Sequence, residues 1–287
     1  MWEHERKLHR AAEHFKQLEA QLNGWEQGNG YTLAVKPHPE PPHYIVRVEI
    51  DRPVENEPFP LVLGDFLQNA RAALDYIAGA LGNVGAGGWM DEADALATMF
   101  PITGSPERFA EVVERRLPTV SDPVRAAIED LQPYKTGGHL SEFEPLWRLN
   151  ELARFDRHRF LHIGYAQVGT LRLNDTTSRN VVIHMLRVEE GSLEIAIVAG
   201  LEEAEIFGGE DSAILATFEA VPADPSKEMH MEWEDPIELV FDPDRMPDTL
   251  SLSSDMPILW ALRGIIPDIR EVFRSLAPFL PAEPPRW

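Results

Sequence analysis

The stretch Leu61-Val62-Leu63-Gly64-Asp65-Phe66-Leu67-Gln68-Asn69-Ala70-Arg71-Ala72-Ala73-Leu74-Asp75-Tyr76-Ile77-Ala78-Gly79-Ala80-Leu81 sets how the rest of the chain is read. Phe66, Ala70, Ala73, Leu74, Ile77 and Leu81 recur at three- and four-residue steps, which predicts a helix with an apolar stripe. The glycines Gly82, Gly85, Gly87 and Gly88 are expected to end it. Upstream, Leu8, Ala11, Phe15, Leu18 and Leu22 predict a helix over 2–22, stopped at Asn23-Gly24. Between these helices, Tyr31, Leu33 and Val35 alternate with polar residues, as do Tyr44, Val46, Val48 and Ile50. A two-stranded ribbon at about 31–51 follows, with Pro37 to Pro42 too proline-rich for a tight turn.

Downstream of the glycines, Ser105-Pro106 and Ser121-Asp122-Pro123 place a capping side chain before a first-turn proline, predicting two short helices. A further helix is expected over 144–162, carrying Leu146, Leu149, Leu152 and Phe155. After His162 the pattern changes. Residues 163–173, 181–188, 193–199, 213–220 and 229–241 alternate like strands, with turns at Glu189-Glu190-Gly191-Ser192 and Gly208-Gly209. A closing helix from about Pro257 to Leu276 is expected to break or kink near Pro267. The pattern is that of an α+β protein. Its regions are a mainly helical part at 1–162, an antiparallel β-meander at 163–242, and a C-terminal helix and tail at 243–287 that pack back on the helices.

The chain has 287 residues, 44% of them hydrophobic, enough for a substantial core. It carries 48 acidic and 26 basic side chains, a formal charge of −22. Residues 1–162 balance at −8 and residues 163–287 at −14. Neither part holds the excess of Lys and Arg that an extended DNA groove needs. No stretch approaches the ~18 consecutive apolar residues of a membrane span. The start Trp2-Glu3-His4-Glu5-Arg6-Lys7 lacks the apolar core of an export signal, so a cytoplasmic location is expected. With no cysteine, disulfides, thiolate metal sites and cysteine nucleophiles are excluded.

Several motifs fail on spacing. The glycines at 82–88 follow a helix and lack the order of a dinucleotide fingerprint, and Lys135-Thr136 has no P-loop glycine before it. Asp156-Arg157-His158-Arg159-Phe160-Leu161-His162 is more informative. On a helix, His158 and His162 would project from one face and could bind a metal. Arg159 stands where a zinc peptidase needs glutamate, so that hydrolysis is excluded. Arg157 with His162 suits phosphodiester chemistry: a guanidinium steadies the phosphate while an imidazole exchanges the proton of an attacking hydroxyl. The same residues, with Asp156, also suit a salt-bridge network and dipole-favoured cations at a helix end. Asp65 and Asn69 share a face of the 61–81 helix. If the start of that helix meets the end of the 144–162 helix, they approach His158 and His162 and orient an imidazole. The plainer reading has Asp65 capping a first turn and Arg71–Asp75 as an exposed i,i+4 pair.

Residues 64–75 and 149–162 resemble stretches of uncharacterised bacterial proteins. Arg157-His158-Arg159-Phe160-Leu161-His162 also resembles the hallmark of the HEPN superfamily: arginine, a polar residue, a few variable residues, then histidine, with His158 in the polar position. The resemblance spans about residues 60–165. It implies a helical bundle that often dimerises and acts as a metal-independent ribonuclease of toxin or defence type, other members being non-catalytic. By that likeness Arg157, His158 and His162 are the catalytic candidates, supported by Asp65, Asn69, Asp156 and Arg159, with RNA as substrate, a homodimer as assembly and no cofactor. Two alternatives stand beside it. One is a non-enzymatic protein that binds a protein partner and holds these residues as a buried polar network. The other is a metal-binding domain built on His158 and His162.

Overall fold

The computed structural model describes residues 1–25, 27, 30, 52, 57–135, 144–157, 239, 241 and 257–283 with their side chains, and further segments as backbone alone. About three quarters of the residues described with side chains are helical. The helices are α1 (Glu3–Gln27), α2 (Phe59–Ala86), α3 (Glu92–Ala97), α4 (Pro106–Arg116), α5 (Asp122–Asp130), α6 (Pro133–Thr136), α7 (Pro145–Asp156), α8 (Ile258–Leu262) and α9 (Ile265–Leu276).

The centre of the body is α2. Phe66, Leu67, Ala70, Ala73, Leu74, Ile77 and Ala78 are all fully buried, and so is Leu63. That arc is wider than the single stripe read from the sequence, and a helix with so wide an apolar surface needs neighbours on several sides. On one side lies α1, where Leu8, Ala11, Leu18 and Leu22 face inward and Phe15 packs its ring 5.6 Å from that of Phe66. Leu149, Leu152 and Ala153 of α7 and Ile265, Ile269, Val272 and Leu276 of α9 join the same cluster. Each fully buried large aliphatic or aromatic side chain contributes about 1.5–3 kcal/mol of transfer free energy.

Outside this body the backbone of 31–37, 43–50, 163–173, 181–189, 192–197, 213–219, 231–233 and 237–241 runs extended in antiparallel ladders. Of these segments only Leu239 and Phe241 are described with their side chains, and both are buried in the helical core. The described body has no sheet layer of its own. The expected α+β class, with a β-meander over 163–242 as one of its layers, is therefore corrected to a helical body. The reason is physical: alternation shows that a strand has one apolar face, but not what covers it. Here the long apolar helix is covered mainly by other helices, with Leu239 and Phe241 of the 237–241 segment joining their core.

Helix ends depart from the sequence pattern for specific reasons. α1 runs through Asn23-Gly24, because the next residue, Trp25, is fully buried and its Nε1 donates to the Arg52 carbonyl at 2.8 Å. Tertiary burial outweighs the roughly 1 kcal/mol that a helical glycine costs. α2 runs through Gly82 and Gly85 and ends only at Gly87, whose φ of 70° closes it in the left-handed conformation. A Cβ on Gly85 would fall 2.0 Å from the Thr119 carbonyl oxygen, and Thr119 Oγ1 donates to the Gly82 carbonyl at 2.9 Å. The glycines admit a crossing chain rather than forming the expected loop.

α4 starts as expected, with Ser105 Oγ accepting from the Arg108 amide at 3.2 Å. α5 begins after Ser121 without a side-chain cap bond. The closing helix breaks at Arg263-Gly264, not near Pro267. Pro267 then falls in the first turn of α9, where its missing N–H costs nothing. Among the described residues no helix is long and apolar enough to cross a membrane.

Two outcomes are expected. Leu74→Ala, at a fully buried position in α2, should cost about 2–5 kcal/mol in urea unfolding with an unchanged m-value. His4 is buried near the start of α1, its ring edge-on to Phe273 at 4.5 Å, and burial holds its pKa below 6.5. The unfolded chain takes this proton near 6.5 and the folded chain only at lower pH. Stability from this group is complete above about 6.5 and declines as the pH drops. Urea midpoints at pH 7.5, 6 and 5 should show that decline in the wild type and a shallower one in His4→Leu; identical slopes would refute the assignment.

Candidate functional site

Gly64, Gln68, Arg71 and Asp75 follow one another along α2 at steps of four, three and four, so they line one side of the helix. At the start of that line α7 comes close. A Cβ on Gly64 would lie 2.8 Å from Asp156 Oδ1, so the carboxylate of Asp156 rests against the backbone of α2. Gln68 holds it there: its Nε2 donates to Asp156 Oδ2 at 2.9 Å and to the Ala153 carbonyl at 3.1 Å. The beginning of α2 thus meets the last turn of α7.

Further along, Arg71 is only 5% exposed. Its Nη2 donates to the Phe100 carbonyl at 2.6 Å and lies 3.0 Å from Asp75 Oδ1. Asp75 Oδ1 in turn accepts from the Phe100 amide at 2.9 Å. The neighbouring residue, Met99, ties in α4: its amide donates to the Arg116 carbonyl at 3.0 Å, and Arg116 Nη1 rests on the Met99 thioether. The dipeptide Met99-Phe100 therefore bridges the Arg71–Asp75 pair and Arg116. Arg71 Nη1 is buried without a hydrogen-bond partner among the described residues. A buried donor left so costs about 1–3 kcal/mol.

Arg157 is the C-cap of α7 and exposed. Its charge reaches the cluster, acting on both Arg71 and Asp75 together with that of Arg116. Burial pushes the Asp75 carboxyl above its usual range, against the downward pull of Arg71, the Phe100 amide, Arg157 and Arg116. Burial also lowers the Arg71 guanidinium from its ordinary value, and Arg157 and Arg116 add to that against Asp75. Arg71 alone pairs with the Asp75 carboxylate, and Arg116 joins through the Met99-Phe100 dipeptide. Among the described residues neither Arg116 nor Arg157 has an ion-pair partner.

The sequence-predicted residues are placed as follows. Asp156 and Arg157 lie at this junction. Asp65 is exposed, and Asn69 Nδ2 donates at 2.8 Å to the Asp65 carbonyl of its own helix, so neither touches Asp156. The face that meets α7 is one position away, on Gly64 and Gln68. Nor does Asp65 cap a first turn, because α2 begins at Phe59. The Arg71–Asp75 pair, expected to be exposed, is buried at its arginine. α7 closes at Asp156, before either motif histidine. His158, Arg159 and His162 lie outside the described residues, as does the metal alternative built on the two histidines. Among the described residues no group of three or more His, Asp or Glu could hold a metal. Of the other arginines of α7, Arg148 stacks 5.3 Å from the Trp260 ring, and Arg154 pairs with Glu151.

Gln68 and Arg116 escaped the sequence reading, and Arg71 and Asp75 entered it only as an exposed pair. The available signal was a line of polar residues at helical spacing along a strongly apolar helix, which points to partners inside the body rather than in water. No protein-family model matches the chain, and neither does any curated protein or solved structure.

The Gly64–Asp156 contact yields a non-additivity that equilibrium unfolding can detect. In the wild type, Gly64→Ala displaces the Asp156 carboxylate and forfeits most of the ~1 kcal/mol that alanine gains over glycine in a helix. In an Asp156→Ala background the same change should stabilise by about 0.5–1 kcal/mol. Additive effects would disprove the contact.

Proposed function

We propose that the protein cleaves RNA without a metal, at a site made by Arg157 and His162 beside the arginine cluster. What carries this reading is the place of Arg157: an exposed cation at the end of α7 whose charge acts on Arg71 and Asp75, in a chain whose net charge is −22. Cations gathered against that background favour an anionic ligand locally. In the reaction, a ribose 2′-hydroxyl attacks the adjacent phosphorus and the bond to the 5′-oxygen breaks. His162 takes the hydroxyl proton and a proton returns to the leaving oxygen. Arg157 steadies the charge on the non-bridging oxygens with its paired N–H donors. His158 occupies the polar position of the HEPN-like motif, and Arg159 adds a second cation within it.

The non-enzymatic reading has its own support. The Gln68–Asp156 bond and the Arg71–Phe100–Asp75 triangle hold α2, α7 and the 98–104 segment together as a polar network would. The two readings separate in one experiment. Purified protein is incubated with mixed RNAs and matched DNA in EDTA, beside His162→Ala, Arg157→Ala and Gln68→Ala. RNA-only cleavage that falls about 10²–10⁴-fold in His162→Ala is expected. Arg157→Ala should abolish cleavage with a change in Tm of no more than a few degrees, since its side chain is exposed. Cleavage that is absent, or equal in wild type and His162→Ala, rejects the proposal. A lowered Tm in Gln68→Ala with no activity to lose supports the network alone.

A further inference from the structure

We draw no further inference here: the strongest candidate, the exposed apolar side chains of Trp89 between α2 and α3 and of Leu96 in α3, beside the acidic Asp91, Glu92 and Asp94, carries none because nothing in the structure shows what covers them.

Discussion

A helix buried on several sides cannot hydrate its polar groups, and this constraint on α2 shapes everything around it. Leaving an amide or a charge unpaired in such surroundings costs several kcal/mol. Each polar side chain on the inner surface of α2 must therefore recruit a partner from another element. Gln68 recruits the last turn of α7, and Arg71 with Asp75 recruits both backbone groups of Phe100. The apolar residues of α2 supply the cohesive energy, but its polar line determines which segments lie where. The junction of α2, α4 and α7 is in this sense a by-product of satisfying one helix.

Parts of this were legible in the sequence, and the reasons for the rest are instructive. The 61–81 periodicity located α2, and Ser105-Pro106 located the start of α4, because both signals are local. The extension of α1 through Gly24 and of α2 through Gly85 depended on Trp25 meeting Arg52 and on Thr119 crossing close by, contacts of long sequence separation. The sheet layer was over-read for a similar reason. Alternating residues in 163–242 describe each segment's own faces, whereas the class of the body depends on what covers α2. For the site, Asp156 and Arg157 were legible because they sit together in one motif. Arg71 and Arg116, 45 residues apart in sequence, meet only through Met99-Phe100.

The one-residue displacement on α2 shows how finely a helix phase must be known. Asp65 and Asn69 differ from Gly64 and Gln68 by one position, about 100° around the axis. Chemistry favoured the first pair, because a carboxylate and an amide suit a histidine better than a glycine does. Geometry chose the second, because only glycine lets the Asp156 carboxylate lie against the helix backbone. The absence of a side chain was the relevant feature.

Asp156 and Arg157 are adjacent and have opposite fates, and the contrast defines the site. The C-terminal end of a helix carries partial negative charge, which favours Arg157 and disfavours Asp156. Asp156 is tolerated because the Gln68 amide donates to it and the smooth surface at Gly64 admits it. That anchor fixes the end of α7, with Arg157 as its exposed C-cap. The motif that begins at Arg157 therefore starts from a helix end held by a bond between a half-buried glutamine and a carboxylate.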